Sequence, residues 1–387
     1  MMNLNDNIPK DWNIKELSKI VDFLDGKRKP IKDSDRNKMQ GEYPYYGASG
    51  IIDYVNDYIF DEELILLGED GANIINRNSP LAFRVSGKIW VNNHAHVLKP
   101  LNGYDIGYIT EFLESIKYDM YNTGTAQPKL NKEVCKGIPV LLPPLPEQKA
   151  IAQVLSTTDA AIHTTEKLIA QKELRKKWLM QQLLTGKKRL KGFGNKIEFR
   201  VIGQYLNEVS ERNKNSKVSN VLSVTNSRGF INQSDQFDRS VASEDASNYK
   251  IVRKGQFAYN PSRVNVGSLD LLRNFEIGIL SPMYVVFETN KAHLLPEYFY
   301  FQLKTQWFYG HIPMFVQGSV RDSLSFDGLC SMKFFVPSLE EQTAITQVLQ
   351  AADKEINLLK AKAQKLREYK KGLMQQLLTG KVRLKIN

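Results

Sequence analysis

The sequence predicts an α+β protein in which two different globular segments are each followed by a copy of the same long helix. One observation behind this prediction is an internal repeat, because residues 124–190 align without a gap with residues 318–384. Within 143–190 and its counterpart, 24 of 48 positions are identical. The other observation is that the segments ahead of the two copies show no such likeness. A protein with two different globular segments on one repeated helical scaffold is expected to recognise the two halves of a target at a fixed separation.

Four segments along the chain follow from these observations. We predict globular segments at residues 1–142 and 197–336, and helical repeats at residues 143–196 and 337–387. Short apolar runs bounded by Gly- and Asn-rich turns predict strands within the globular segments. The predicted strands are 64–67, 89–98, 256–259 and 283–287. The predicted short helices are 105–118 and 295–303.

Start and stop signals mark the boundaries of each helical repeat. A proline cluster from Pro143 to Pro146 suits the first turn of a helix. In that turn the backbone N–H groups have no partner within the helix, so the missing N–H of proline costs no hydrogen bond. The acidic Glu147 that follows favours the positive end of the helix dipole. Gly186 and Gly380, each with cations behind it, are typical helix ends.

The apolar positions of the second repeat have the alternating four- and three-residue spacing of a coiled-coil seam. These positions include Ile345, Leu349, Ala352, Ile356, Leu359, Ala363, Leu366, Leu373 and Leu377. Polar residues interrupt the same seam in the first repeat at Thr158, Thr165, Lys172 and Lys176. Because a ragged seam is poor material for self-association, we expect the two repeats to pair with each other as an antiparallel, pseudo-twofold coiled coil. The alternative is two independent helices, each packed on its own globular segment, and a break near residues 156–159 is left open.

The composition excludes several classes of protein. The hydrophobic fraction is 42% and the charged fraction is 25%, which are typical of a globular chain. No apolar run is long enough to span a membrane, and residues 1–10 have no apolar core of a signal peptide, so we expect a cytoplasmic protein. Cys135 and Cys330 lie too far apart in sequence to suggest a disulfide scaffold or a zinc site.

The formal net charge of +11 is concentrated on the helical repeats. Residues 143–196 carry +7 and residues 337–387 carry +5, whereas residues 1–142 carry −3 and residues 197–336 carry +2. Basic helices of this kind follow DNA phosphates, face an acidic protein partner, or present a solvated surface. If the globular segments bind DNA, they do so through local patches.

Two loops in equivalent positions are the preferred candidates for reading bases. Thr125, Gln127 and Lys129 follow a glycine in the first globular segment, and Ser319 and Arg321 follow a glycine in the second. In the major groove Gln pairs with adenine and Arg pairs with guanine. Matching loops with different polar side chains are therefore expected of two readers of two sequences.

Three further groups of polar residues are candidates for DNA contact. Asn260, Ser262, Arg263 and Asn265 surround Pro261, and the alternative for this group is a turn that the proline fixes. Lys27, Arg28 and Lys29 lie in a loop within reach of phosphates, or simply in a solvated loop. If residues 89–98 form one strand, its alternation places Asn92, His94 and His96 on one face. A structural strand is the alternative there, and no nearby ligand completes a metal site.

At these motifs the chain resembles the specificity subunits of type I restriction-modification systems, over nearly its whole length. The most specific likeness is the two Glu-Gln helix openings, at 147–148 and 341–342, and the two closings Leu-Met-Gln-Gln-Leu-Leu-Thr-Gly. Further family-like strings lie at residues 43–50, 68–71, 91–96 and 259–267.

The resemblance implies two target-recognition domains that each read one half of a bipartite site in double-stranded DNA. It implies that the helices set the spacer and hold two methyltransferase subunits, and that restriction subunits join the complex. Catalysis and the cofactors, S-adenosylmethionine and ATP, would then belong to the partners, so no cofactor is expected in this chain.

Two other functional classes are weighed against this one. An enzyme is disfavoured, because residues 259–262 only faintly resemble an adenine methyltransferase motif and no phosphate-cradling loop is visible. A coiled-coil adaptor that binds only protein is the other alternative, and a DNA-binding assay with the methyltransferase present distinguishes it from DNA recognition.

Overall fold

The computed structural model of the protein describes residues 8–194, 198–235, 246–316 and 323–385. The chain forms two compact units. Unit 1 comprises Met1–Lys167 and Lys360–Asn387, and unit 2 comprises Leu168–Leu359. Each unit therefore contains one globular segment together with a part of both long helices.

Unit 1 is built from sheets that short helices accompany. Its strands are β1 (Asn13–Glu16), β2 (Val21–Phe23), β3 (Gln40–Gly47), β4 (Gly50–Val55), β5 (Phe60–Asp61), β6 (Leu64–Gly68), β7 (Ala82–Val85), β8 (Lys88–Val91), β9 (Ala95–Pro100) and β10 (Pro139–Leu142). Its helices are α1 (Asp33–Arg36), α2 (Asn73–Asn76), α3 (Ile106–Ser115), α4 (Lys132–Lys136) and the beginning of α5 (Leu145–Leu183). One sheet has the order β2-β9-β6-β7, a second has the order β4-β3-β8-β5, and β1 pairs with β10. These strands pair antiparallel except for the parallel pair of β3 and β8.

Unit 2 repeats much of this plan. Its strands are β11 (Phe199–Val201), β12 (Leu206–Glu208), β13 (Leu222–Thr225), β14 (Gly229–Asn232), β15 (Lys250–Arg253), β16 (Phe257–Tyr259), β17 (Leu269–Leu271), β18 (Ile277–Leu280), β19 (Val285–Thr289) and β20 (Lys333–Phe335). Its helices are α6 (Pro296–Leu303), α7 (Gln306–His311), α8 (Phe326–Ser331) and the beginning of α9 (Leu339–Leu377). The sheet β12-β19-β16-β17 has the same order as β2-β9-β6-β7, and β11 pairs with β20 as β1 does with β10.

The predicted α+β class is confirmed, and most of the predicted elements are present. The predicted strand at 283–287 begins two residues later than expected, at Val285. The predicted single strand over 89–98 is wrong, because the chain turns at residues 92–94 and forms β8 and β9 instead.

Each long helix contains 39 residues. The helix α5 is continuous through residues 156–159, where the sequence left a break open. Gly186 and Gly380 follow the ends of α5 and α9, both with φ of 71°. This left-handed conformation is easily adopted only by glycine, so it explains why both repeats close with Thr-Gly.

The two helices pair antiparallel within each unit, as predicted. In unit 1 the N-terminal half of α5 packs against the C-terminal half of α9, where the Nζ atom of Lys370 lies 2.7 Å from a carboxylate oxygen of Asp159. In unit 2 the late part of α5 meets the early part of α9, where Lys172 lies 2.5 Å from Glu355 and Lys176 pairs with Asp353. The two lysines at seam positions of α5 thus find charged partners on α9.

The two threonines of the α5 seam are satisfied within their own helix. Thr158 and Thr165 are buried, and their hydroxyls donate to the carbonyls of Val154 and Ala161 at 3.0 and 2.8 Å. Because a threonine hydroxyl can bond one turn back in this way, it can occupy a seam without an unpaired polar atom.

A glutamine in each repeat fastens the helix to the globular part of its unit. Gln148 accepts from the backbone N–H of Asp105, the N-cap of α3, and donates to the carbonyl of Pro143. In the same way Gln342 accepts from the N–H of Leu295, the N-cap of α6, and donates to the carbonyl of Pro337. The repeated Glu-Gln therefore has a structural role at the start of both helices.

Candidate nucleic-acid interface

The predicted reading residues of unit 1 lie together on one compact loop, residues 122–131. Asn122 pins both ends of this loop, because its side-chain oxygen accepts from the N–H groups of Gly124 and Lys129 at 3.0 and 2.9 Å. A Cβ atom at Gly124 would lie 1.8 Å from the carbonyl oxygen of Gln127, so only glycine fits there. Thr125, Gln127 and Lys129 are exposed on the loop.

The strand β6 and the turn after it hold this loop from below. The backbone N–H of Leu130 donates to the carbonyl of Glu69 at 2.7 Å, and that of Gly71 donates to the carbonyl of Pro128 at 3.0 Å. Lys129 Nζ also lies 3.5 Å from a carboxylate oxygen of Glu69. The Gly-Glu-Asp-Gly string at 68–71 thus supports the loop 122–131, which we call the reading loop because it carries the residues predicted to read bases.

Of the predicted basic loop, only the flanking lysines are free to meet a ligand. Lys27 and Lys29 are exposed, whereas the guanidinium of Arg28 donates to Glu69 and to the carbonyl of Ala95, both at 2.7 Å. The side chain of Arg28 is 14% exposed. Contrary to the expectation of a phosphate contact, Arg28 is engaged in supporting the loop.

Asn92, His94 and His96 do not share a strand face, which corrects the prediction made from alternation. Asn92 is buried in the turn after β8, where its side chain accepts from the N–H of His94 at 2.8 Å. His94 is exposed and pairs with Asp70 at 2.8 Å, and His96 lies in the core of β9. The turn between the two short strands resets the alternation.

His96 is the buried cation of unit 1, a role that sequence reasoning did not identify. Its Nδ1 lies 2.8 Å from a carboxylate oxygen of Asp25, and its Nε2 lies 2.9 Å from the carbonyl of Leu130, the last position but one of the reading loop. Because both neighbours are acceptors, both ring nitrogens must donate, which requires an imidazolium. Burial is the largest single influence and lowers the pKa of His96, but the hydrogen bonds and charge interactions with Asp25 and Cys135 together outweigh it and raise the pKa to about 10.

The predicted polar turn of unit 2 lies on one wall of a cleft of about 970 Å³. Asn260 shapes the turn, because its side chain accepts from the N–H of Ser262 and its carbonyl accepts from the N–H of Arg263. Ser262 and Arg263 are exposed, and within the described part of the chain no hydrogen bond or ion pair engages the guanidinium of Arg263. Asn265 is exposed beside the turn but does not line the cleft.

A further part of the lining of this cleft comes from the hairpin of β13 and β14, which the sequence did not single out. Asn226 and Gln233 line it together with Ser223 and Thr225. Asn226 sits against Gly267, whose φ is 94° and where a Cβ atom would lie 2.3 Å from the Asn226 side chain. The cleft therefore combines hydroxyls, amides and one guanidinium, the groups that read base edges. We call this candidate surface for reading bases the reading cleft.

Ser319 and Arg321, the predicted reading pair of the second loop, lie outside the described residues. Over residues 8–194, 198–235, 246–316 and 323–385, no three or more His, Cys, Asp or Glu side chains are placed to hold a metal ion. In the same part of the chain no helix has the length and apolar character that crossing a membrane requires.

Comparison with known proteins identifies the family. Residues 9–173 and 248–368 match the family described as type I restriction modification DNA specificity domain. The type I restriction enzyme MjaVIII specificity subunit of Methanocaldococcus jannaschii is 23% identical, with 98% of this chain and 94% of the relative aligned. A Haemophilus influenzae protein whose name places it among these specificity subunits is 33% identical over 150 residues, which cover 39% of this chain but only 37% of the relative.

A solved structure supports the same assignment at the level of the fold. The type I restriction-modification S subunit from M. genitalium superposes with a TM-score of 0.61 at 16% identity, and the match covers 100% of this chain and 99% of that one. At this identity the likeness concerns the fold alone. Because the family match extends over most of the sequence, the chain belongs to the type I restriction-modification specificity subunits.

Proposed function

We propose that this chain is the non-catalytic subunit that gives a type I restriction-modification complex its DNA sequence specificity. Unit 1 reads one half of a bipartite site in double-stranded DNA through the loop 122–131, and unit 2 reads the other half through the reading cleft. The paired helices set the spacer between the halves. Two methyltransferase subunits and the restriction subunits dock on the chain and contribute the chemistry and its cofactors, in the cytoplasm.

The observation that carries this proposal is the contrast between the two reading surfaces. Both units contain a four-stranded sheet of the same order, the same glutamine fastening and the same helix repeat. Their polar surfaces nevertheless differ, with Thr125, Gln127 and Lys129 in unit 1 and Asn226, Asn260 and Arg263 in unit 2. A common frame with different side chains is what two readers of two different sequences need.

Single substitutions should relax the two halves of the target independently. With the methyltransferase partner present, we expect Gln127→Ala to loosen the half-site read by unit 1, and Arg263→Ala to loosen the one read by unit 2. A bidentate base contact contributes about 1–3 kcal/mol of discrimination, and removing it admits other bases at that position. Sequencing the methylated adenines in DNA treated with each complex measures the effect.

Each of these variants is the control for the other half-site. Arg253→Ala is a further control, because Arg253 is exposed, pairs with Glu211 and lines neither surface. If either variant changed the half-site assigned to the other unit, the assignment of readers to units would be wrong. If the complex bound DNA without any sequence preference, the chain would instead be an adaptor.

Lengthening both helices should lengthen the spacer and leave the half-sites unchanged. One heptad inserted after Lys167 and one after Leu359 keep the antiparallel register and add about 10 Å at about 1.5 Å per residue. This corresponds to about three base pairs at about 3.4 Å each, and a heptad rotates the helix faces by only about 20°. The methylated motif again provides the measurement.

A heptad inserted into α5 alone is the matched control for this experiment. It shifts α5 against α9, separates pairs such as Lys370–Asp159, and should abolish activity. An active double-insertion variant that still methylates the original spacing would show that the helices do not determine the spacer.

A further inference from the structure

A second cavity of unit 2, about 460 Å³ in volume, shares Asn226 with the reading cleft. The turn between β13 and β14 borders both cavities. The second one continues along residues 227–229 of that turn and reaches α6 and α7 through Tyr300 and Tyr309. We call it the cationic cleft, because its charged side chains are Arg228, Arg273, Lys304 and Asp270.

The cations of this cleft have few partners among the described residues of unit 2. Arg228 is exposed at the turn, and none of the described residues bonds to its guanidinium. Arg273 lies over the ring of Tyr300 at 4.0 Å and is 3.9 Å from Asp270. Lys304 donates to the carbonyl of Leu269 at 2.7 Å and lies 3.7 Å from Asp270. Among the described residues that line the cleft, Asp270 is thus the one carboxylate beside three cations, and Arg273 and Lys304 lie 3.9 and 3.7 Å from it.

The partly buried position of Lys304 indicates the kind of ligand that would stabilise the cleft. Burial lowers the pKa of Lys304, the attraction of Asp270 opposes this, and the repulsion of Arg273 adds to it. The net lowering means that the ammonium is poorly compensated. An anion placed among these cations would supply the missing compensation.

We infer that the cationic cleft binds the backbone phosphates of the DNA strand whose bases are read in the neighbouring cleft. This inference rests on the proposed function and names a part of the DNA site that base reading leaves unassigned. Phosphate contacts supply affinity and fix the register on the duplex, whereas base contacts supply specificity. Asn226 borders both cavities, so the turn of β13 and β14 places a base-reading wall directly beside a phosphate-binding one.

The salt dependence of DNA binding tests this inference. We expect Arg228→Ala to weaken binding equally for cognate and mismatched DNA, with the complex formed with its methyltransferase partner. The slope of log K against log salt should decrease by about 0.9 for each phosphate that the protein no longer neutralises, and the methylated motif should stay the same.

Arg228→Ala should leave the fold of unit 2 intact, because its side chain is exposed and makes no hydrogen bond or ion pair with the described residues. Arg273→Ala should weaken DNA binding in the same way. Arg253→Ala is the matched control, since Arg253 is also exposed but pairs with Glu211 away from the cleft.

The outcomes separate this inference from the function on which it rests. If the wild-type complex shows sequence preference and Arg228→Ala keeps both its affinity and its salt slope, the phosphate assignment is overturned and the proposed function stands. Weakening restricted to the cognate sequence would also overturn it, since Arg228 would then read a base. Failure of the wild-type complex to prefer any sequence would overturn the proposed function itself.

An experiment with inorganic phosphate tests whether the ligand of the cationic cleft is a free phosphate ion instead of the DNA backbone. At constant ionic strength, millimolar phosphate should leave the DNA affinity of the wild-type complex unchanged, because a backbone site uses several linked contacts. Saturable phosphate binding that Arg228→Ala removes without any effect on DNA affinity would show a free-anion site instead.

Discussion

Replacing Arg383 with alanine should destabilise unit 1 by about 3 kcal/mol and leave unit 2 unchanged. Arg383 follows α9 and donates to both oxygens of Glu147 at 2.7 Å, and to both oxygens of Asp11 at 2.9 and 2.8 Å. Glu147 is only 1% exposed, and its remaining partner is the indole N–H of Trp12 at 3.2 Å. Removing one member of a buried pair costs about 3–5 kcal/mol; the lower end applies because Arg383 itself is 40% exposed.

Hydrogen exchange followed separately in the two units measures this effect. Amides of the unit 1 core should exchange faster in Arg383→Ala, whereas amides of the unit 2 core should not change. Arg383→Lys should restore only part of the stability, since an ammonium cannot donate to two carboxylates with the geometry of a guanidinium. Lys381→Ala is the control, because Lys381 is exposed. An equal destabilisation in that control would mean that the pair with Glu147 is not the cause.

The equivalent substitution in the first repeat, Arg189→Ala, should destabilise the other unit. Arg189 follows α5 as Arg383 follows α9, and it donates to Glu341, which is also 1% exposed. Arg189→Ala should therefore loosen unit 2 and spare unit 1, which makes the two substitutions controls for each other.

His96→Phe should destabilise unit 1 by about 3–5 kcal/mol, because it leaves the buried carboxylate of Asp25 with only the longer ion pair to Arg28, at 3.7 Å. It should also release the carbonyl of Leu130 and so loosen the reading loop. Adding Asp25→Asn removes the unpaired charge and should recover part of the stability. His94→Phe is the matched control, since the exposed pair with Asp70 should contribute less than about 1 kcal/mol. Denaturant unfolding and exchange of the loop amides are the measurements.

The pH dependence of unit 1 should carry the signature of this pair. The pKa of His96 in the folded protein, about 10, is above its ordinary value of 6.5, so its contribution to stability is complete below about pH 6.5. That contribution is lost as the pH rises through about 10. The hydrogen bonds of His96 and of the Val97 N–H outweigh burial and lower the pKa of Asp25, so its contribution is lost only as the pH falls below the ordinary value of 3.8. A His96→Phe variant whose stability fell as steeply as wild type between pH 6.5 and 10 would contradict this account.

Features of the candidate sites that are local in sequence could be predicted, and contacts between residues distant in sequence could not. The loop 122–131 could be predicted because glycine and polar residues that are adjacent in sequence stay together in space. Arg28 could not be assigned correctly, since nothing local indicates that Glu69, 41 residues away, takes its guanidinium. The hairpin wall of the reading cleft was missed for the same reason, because Asn226 faces the turn at 260–263 only after the sheets have formed.

The repeated helical frame follows from the amino-acid sequence without any knowledge of the fold. Proline and glycine mark the helix boundaries, and the heptad spacing predicts the antiparallel pairing. The dissimilarity of the two globular segments is visible when their sequences are compared. These signals are local or periodic. The three-dimensional structure was needed to show that the dissimilar globular segments share the sheet order β2-β9-β6-β7 and β12-β19-β16-β17. Short strands require only apolar residues of suitable shape, so related sheets can form from sequences that no longer resemble each other. The fold also determines the pairs of Glu147 with Arg383 and of Asp25 with His96, because the partners are 236 and 71 residues apart in sequence. The low dielectric around the two buried carboxylates strengthens their attraction to these partners.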